Sequence, residues 1–77
     1  MVKIVESQSF QEDRINLLSE FEHFHLWMEM EHEFSIWYSR SNKPFKELSE
    51  ILWDGKRIFY RFCREPKAIW LICITKN

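Results

Sequence analysis

The chain has little glycine, proline or cysteine and no long apolar run. Its 77 residues include one Gly, two Pro and two Cys, with 45% hydrophobic and 17% aromatic residues. This composition excludes a disordered or collagen-like chain, and two Cys are too few for a secreted scaffold held by disulfides. The longest apolar run, residues 68–74, is far shorter than the roughly 18 residues of a membrane span, and the start lacks a signal-peptide pattern. We expect a single cytoplasmic domain over residues 1–77, with no membrane association.

Charge is divided unevenly along the chain. Residues 1–34 hold two basic and eight acidic residues, whereas residues 35–77 hold nine basic and four acidic ones. Such a division indicates a polyanion or an acidic protein as partner of the second half. It is equally consistent with two halves that neutralise each other within the fold.

Two helices are predicted in the first half of the chain, after a short strand around Lys3. Ser9 and Glu12 match a capping box, in which each side chain binds a backbone amide at the start of a helix. Apolar residues then recur at helical spacing, which predicts a first helix over residues 10–25. Residues 26–38 fit both a helical stripe and a strand alternation. Because Met and Glu favour helices, we expect a second helix there.

The last third of the chain predicts three strands. Residues 51–53 and 56–63 flank Asp54 and Gly55, a dipeptide that accepts the positive φ angles of a tight hairpin turn. Residues 64–67 form a second turn, and residues 68–75 are rich in the β-branched and aromatic residues that strands favour. The predicted order is β-α-α-β-β-β, an α+β domain with two N-terminal helices packed on an antiparallel sheet.

The second turn sets the register of the last hairpin, with Cys63 opposite Ala68 and Tyr60 opposite Leu71. Because strand residues alternate between faces, one face is nearly all apolar and suits the helices. It carries Ile58, Tyr60, Phe62, Ile69, Leu71 and Cys73. The other face carries Arg57, Phe59, Arg61, Trp70, Ile72 and Ile74. The residues expected to be among the most buried are Phe21, Phe62, Ile69 and Leu71.

The second face combines arginine with aromatic rings, and this combination has two interpretations. Arginine contacts phosphate while rings stack on bases, so the face suits nucleic acid. It equally suits a core or a dimer interface from which the arginine side chains reach solvent.

No metal or catalytic motif is recognisable. His23, His25 and His32 are not spaced as zinc ligands, and Cys63 and Cys73 fall on different predicted strands. We therefore expect no metal site, no cofactor and no disulfide, with both thiols in the core. The glutamates between residues 12 and 33 are expected on a solvated helix face rather than as a general base, and a Gly-rich phosphate loop and a nucleophile elbow are missing.

Residues 54–62, followed by residues 69–76, resemble the RelE/ParE superfamily of toxins from toxin–antitoxin systems, which includes HigB-like members. That family often has a glycine, an aromatic residue, an arginine, two aliphatic residues and a tyrosine, then a turn and an aliphatic strand that ends in a basic residue. Residues 45–48 look like the family's basic-leucine segment. The matching residues here are Gly55, Arg57, Ile58, Phe59, Tyr60, Ile69, Leu71, Ile72 and Lys76.

The sequence also departs from the family pattern. Lys56 stands where the family usually has an aromatic residue, and residues 51–53 lack the lysines of the ribonuclease members. The printed sequence ends before the family's later active-site arginine and tyrosine. Arg57 is the one catalytic position that carries over, and Arg61, Lys56 and Lys46 are nearby basic candidates inferred without a motif.

The resemblance implies a toxin-like endoribonuclease that cleaves mRNA on the ribosome without a metal and is neutralised by an antitoxin protein. Arg57 and Arg61 would hold the phosphate, and Lys46 or Lys56 would act as base. The residues expected to bind RNA or a partner are Phe59, Trp70 and Ile72. The alternative on this scaffold is a non-catalytic binding protein, such as a ParE-like gyrase inhibitor or a phage-type inhibitor of a host protein. A third interpretation is a homo-oligomer joined through the apolar second face.

Overall fold

Two helices and four strands follow one another in the order β-α-α-β-β-β, which confirms the predicted α+β fold. The computed structural model describes residues 1–76. Its elements are β1 (Lys3–Glu6), α1 (Gln8–Leu17), α2 (Glu20–Arg40), β2 (Phe45–Trp53), β3 (Lys56–Cys63) and β4 (Ala68–Lys76). The helices pack on the sheet, and the core lies between them.

The helical region divides at Ser19, earlier than the predicted boundary at residue 25. Ser19 accepts a hydrogen bond from the Glu22 backbone N–H, and the Glu22 carboxylate accepts one from the Ser19 N–H, so the capping box lies here. The predicted box at Ser9 is wrong, because Ser7 caps α1 by accepting from the Phe10 N–H. The second helix is confirmed, and it spans 21 residues.

The strands form a mixed sheet in the order β1-β4-β3-β2. β2, β3 and β4 pair antiparallel as expected, whereas β1 runs parallel to β4. The tight turn is confirmed: Asp54 and Gly55 have φ angles of 49° and 73°, the left-handed region that a two-residue hairpin turn of this kind requires.

The register between β3 and β4 is the predicted one at Cys63–Ala68 and Tyr60–Leu71, but a bulge follows. Phe59 lies opposite Cys73 and Ile58 lies opposite Ile74, so Ile72 is the extra residue in β4. A bulge of one residue exchanges the faces of all residues after it. Ile74 is therefore buried in the core, and Cys73 is half-buried. The predicted faces of Cys73 and Ile74 are wrong for this reason.

The core joins one side of α2 to the inner side of β3 and β4. Leu26, Met30 and Phe34 follow one another at helical spacing and are buried. Phe62, Ile69 and Leu71 are buried against them, as predicted. Phe21 is 72% exposed, so that prediction is wrong. Phe21 belongs to α2, which begins at Glu20, and it is five residues before Leu26, about 140° away around a helix of 3.6 residues per turn.

α1 closes the part of the β4 edge that β1 leaves open. β1 pairs with β4 only as far as Leu71. Beyond it, the Ser7 N–H donates to the Leu71 carbonyl at 3.0 Å, and the Ser7 hydroxyl donates to the Ile72 carbonyl. The Ile74 N–H donates to the Asp13 carboxylate at 3.0 Å. The backbone groups on this side of β4 therefore have partners, which protects β4 from pairing with other chains.

Candidate binding face of the sheet

The face of the sheet that points away from the core is uncovered by any element within residues 1–76. We call it the outer face, and it includes Phe45, Leu48, Leu52, Arg57, Phe59, Arg61, Trp70 and Ile72. Alternation with the buried residues Ile58, Tyr60 and Phe62 directs these side chains outward. Leu52, Leu48, Phe45 and Trp70 are each between 45% and 64% exposed. Exposed apolar side chains in such a group mark an interaction surface.

The two predicted arginines both lie on the outer face, in different surroundings. Arg61 lies directly opposite Trp70 across β3 and β4, and within residues 1–76 its guanidinium has no ion pair or hydrogen bond. Arg57 is opposite Thr75 and contacts the Glu50 carboxylate on β2, with Nη1 and Oε2 3.7 Å apart. The outer face thus presents Arg61 beside an aromatic ring.

A groove of about 330 Å³ crosses the outer face between β2, β3 and β4. It is lined by Phe45, Arg61, Cys63, Trp70 and Ile72, together with part of Phe62. Trp70 and Ile72 are two residues apart in β4, so alternation places them on the same face, and both line this groove. The predicted binding residues Trp70 and Ile72 therefore share one concave surface with Arg61.

The structure separates the two predicted lysines from the two arginines. Lys56 lies on the helix side of the sheet, with Nζ 3.8 Å from the carboxylates of both Glu22 and Asp54. Lys46 is also on the helix side, where Nζ lies 5.8 Å from the centre of the Tyr60 ring. Lys56 and Arg57 are neighbours in one strand, so alternation alone already places them on opposite faces. The lysines and arginines therefore do not meet around one phosphate.

The groups that usually transfer protons also lie away from the outer face. All three histidines belong to α2. Tyr60 is buried under the helix, and burial, together with the Glu33 charge, raises the pKa of its hydroxyl. The carboxylate next to the arginines is Glu50, whose Oε2 lies 3.7 Å from Arg57 Nη1.

Cys63 and Cys73 are free thiols, and they are half-buried rather than in the core as predicted. Cys63 lines the groove of the outer face. Burial raises the pKa of the Cys73 thiol, and the nearby Asp13 charge raises it further. A raised pKa keeps the thiol protonated, the less reactive form. Within residues 1–76, no group of three or more His, Cys, Asp or Glu side chains is arranged to hold a metal.

Arg64 has a structural role that the sequence did not reveal. Its guanidinium donates to the carbonyls of Tyr38 and Lys43, both at 3.0 Å, and to that of Ser41. It also lies 4.2 Å from the centre of the Tyr38 ring. Arg64 thus binds carbonyls at and beyond the end of α2, and this removes one cation of the basic half from interaction with a partner. The contacts span 21 to 26 residues, so no local pattern indicates them.

A second unpredicted cluster surrounds Glu6, whose side chain is 9% exposed. The carboxylate accepts hydrogen bonds from Arg14 Nε at 3.0 Å and Trp27 Nε1 at 2.9 Å, and it contacts His23 Nε2. Burial alone would raise the pKa of Glu6, but the hydrogen bonds from His23, Trp27 and Arg14 lower it below its usual value. The cluster joins β1, α1 and α2 on the side of α2 opposite β2. The alternation of Val2, Ile4 and Glu6 is the only sequence signal for it.

Comparison of the chain with family models, with curated proteins and with solved structures finds no match. No helix within residues 1–76 is long and apolar enough to cross a membrane.

Proposed function

We propose that the protein is a non-catalytic binding protein of the cytoplasm, and that its outer face docks a partner protein. The observation that carries this proposal is the exposure of Phe45, Leu48, Leu52 and Trp70 on an uncovered sheet that also holds Arg57 and Arg61. Aromatic residues and arginine are enriched in protein interfaces, whereas lysine is depleted. The partner has an apolar centre and carboxylates near it. On a RelE/ParE-like scaffold, that partner is an antitoxin protein or the host protein that a toxin inhibits.

The proton-transfer chemistry of the outer face supports binding over catalysis. Cleavage by a 2′-hydroxyl needs a group to take its proton, cations for the phosphorane and an acid for the leaving oxygen. Arg57 and Arg61 offer the cations. The candidates for base and acid, Lys46, Lys56 and Tyr60, lie on the opposite, helix-covered side of the sheet. The outer face therefore suits recognition without a reaction.

A second candidate function is the metal-independent endoribonuclease, with mRNA on the ribosome as its substrate. Arg61 opposite Trp70 favours this candidate, because a guanidinium pairs with phosphate while an indole ring stacks on a base. On this proposal Arg57 and Arg61 hold one phosphate, and Phe59, Trp70 and Ile72 contact the neighbouring bases.

Expression in bacteria of three chains tests both candidates. The first is the wild type, and the second is Arg61→Glu/Trp70→Ser on the outer face. The third is the matched control Arg40→Glu/Phe24→Ser, which makes the same kinds of change at exposed positions of α2. The proposal predicts growth arrest by the wild type and the control, loss of arrest in the outer-face variant, and no cuts in translated mRNA by primer extension. Circular dichroism checks that all three fold.

Each other outcome selects a different conclusion. Cuts in translated mRNA that disappear with the outer-face variant support the endoribonuclease instead. Arrest by the outer-face variant at the wild-type level contradicts the outer face as the docking site, and no arrest by the wild type contradicts a toxin-like action. Light scattering that finds a dimer in the wild type and a monomer only in the outer-face variant supports the self-interface interpretation.

A further inference from the structure

β2 is an edge strand whose free side has no partner within residues 1–76. The two-residue turn makes Trp53 and Lys56 a hydrogen-bonded pair, and such pairs alternate along an antiparallel hairpin. The N–H and C=O groups of Glu50 and Leu52 therefore point away from β3. The other long strand edge, that of β4, is covered by β1 and α1. The two edge strands of the sheet are therefore the four-residue β1 and the nine-residue β2, and β2 offers the longer open edge.

The bulge in β2 limits the open stretch. The pairing of β2 with β3 is irregular between Lys46 and Ser49, and the Ser49 hydroxyl donates to the Glu47 carbonyl. From Ser49 to Trp53 the pairing is regular, which leaves a five-residue stretch for an added strand. Bulges and charged residues protect edge strands from aggregation. The bulge therefore restricts pairing with other chains to the regular stretch of β2.

A cavity of about 400 Å³ lies next to this stretch, between the end of β2 and α2. It is lined by Phe21, Glu22, His25, Glu29, Trp53 and Asp54. Side chains of an added strand would alternate between the outer face and the helix side. One side chain opposite this end of β2 would enter the cavity.

The composition of the cavity selects a cationic side chain. Glu22 and Asp54 share Lys56, at 3.8 Å from each, whereas the half-buried Glu29 carboxylate has no cation within residues 1–76. Phe21 and Trp53 contribute two aromatic rings. Carboxylates and aromatic faces both attract ammonium and guanidinium groups. An acidic or purely apolar side chain would leave Glu29 without a counter-charge.

We propose that the β2 edge and this cavity form a second docking site, which binds an extended segment of another protein that carries arginine or lysine. The segment pairs with Ser49–Trp53 as an added strand, and one basic side chain enters the cavity beside Glu29 and Trp53. The site adjoins the outer face at Leu52 but uses the backbone edge of β2 and the helix-side cavity, and it does not depend on the proposed function.

A seven-residue peptide of alternating valine and arginine, blocked at both ends, is the probe. Its counterpart has glutamate in place of arginine. Titration into the ¹⁵N-labelled wild type should shift the amide signals of Glu50, Leu52 and Glu29, and hydrogen exchange at the Glu50 and Leu52 amides should slow at saturation. The glutamate peptide should bind at least about tenfold more weakly, because like charges would meet in the cavity. Two results would overturn the proposal. One is equal binding of the two peptides, and the other is the absence of any shift with the arginine peptide at about 1 mM.

Two variants test the backbone and the charge separately. Leu52→Pro removes the N–H that points to the free edge, where proline is tolerated, and should weaken peptide binding at least about tenfold; Leu52→Ala keeps the N–H and should bind more tightly than Leu52→Pro. Glu29→Gln should weaken binding about fivefold. Unchanged binding by Leu52→Pro overturns strand addition, and shifts confined to Arg61 and Trp70 assign the peptide to the outer face instead. If Leu52→Pro does not fold, slowed exchange of the wild-type Leu52 amide decides the question alone.

Discussion

The Glu6 carboxylate of β1 accepts a hydrogen bond from the Trp27 indole nitrogen of α2 at 2.9 Å. The same carboxylate binds Arg14 of α1 and contacts His23 of α2. One side chain therefore connects β1, α1 and α2. It does so at the edge of the sheet formed by β1, a strand of only four residues. Hydrogen bonds to a charged, nearly buried group contribute more than those between neutral groups.

Glu6→Gln is expected to lower the free energy of unfolding by about 1–3 kcal/mol, because it removes the charge that three donors share. Urea denaturation followed by tryptophan fluorescence measures the loss. Glu12→Gln is the matched control, since Glu12 is exposed and, among residues 1–76, its carboxylate accepts only from Gln8 at 3.4 Å. A loss for Glu6→Gln no larger than that for Glu12→Gln would contradict the role given to the cluster.

Stability is expected to fall at acid pH through Glu6. Burial opposes ionisation of Glu6, but the hydrogen bonds outweigh it, and its pKa in the folded state is lowered from 4.5. A carboxyl whose folded pKa is lowered contributes its full stabilisation above the unfolded pKa, and the contribution is lost as pH falls through the folded value. The Ser19 backbone N–H lowers the pKa of Glu22 in the same direction. Urea midpoints from pH 6 to pH 3 should decline in the wild type, and less steeply in Glu6→Gln.

Arg64→Ala is expected to destabilise the fold by about 2–4 kcal/mol, because it leaves the carbonyls of Tyr38, Ser41 and Lys43 without their donor. Arg64→Lys should recover only part of this loss, since an ammonium cannot reproduce the planar fork of a guanidinium. Thermal unfolding measures both. Arg40→Ala, an exposed arginine in the last turn of α2, is the control and should change stability by less than about 0.5 kcal/mol. Full recovery by lysine would mean that charge alone matters.

Leu71→Ala is expected to cost about 2–5 kcal/mol, the range for a leucine deleted from a packed core. Leu71 is fully buried, whereas Leu48 on the outer face is 57% exposed. Leu48→Ala should therefore cost less than about 0.5 kcal/mol in the same urea experiment. Similar losses at the two positions would mean that the outer face is covered in solution, as it would be in a homo-oligomer.

Arg57→Ala is expected to leave the fold intact and to abolish growth arrest. Its side chain is half exposed on the outer face, where an ion pair such as that with Glu50 contributes about 0–1 kcal/mol. Growth arrest and any cleavage of translated mRNA should be lost, while the circular dichroism spectrum stays that of the wild type. If Arg57→Ala unfolds the protein, Arg57 is structural. Binding to an RNA partner would also weaken steeply with added salt, because counterions are released from the nucleic acid.

Local signals in the sequence account for much of the fold. Asp54 and Gly55 accept the positive φ angles of the turn whatever their tertiary surroundings. The start of β3 directly after this turn therefore follows from the sequence. The preference of Met and Glu for helices correctly decided residues 26–38. Alternation along β3 also placed Arg57, Phe59 and Arg61 together on one face, away from Phe62. These features depend on neighbours within a few residues.

Only the tertiary structure decided the rest, because long-range contacts determine it. The bulge at Ile72 exchanges the faces of Cys73 and Ile74, and it occurs where Ser7, the N-cap of α1, and Asp13 of α1 bind the β4 edge. Because α2 begins at Glu20, Phe21 belongs to α2 and faces solvent, although its spacing suited a core residue. The partners of Arg64 and Glu6 lie 8 to 26 residues away along the chain. A side chain's type limits which partners it can take, but the packing of helices on the sheet selects among them, and that packing has no local signature.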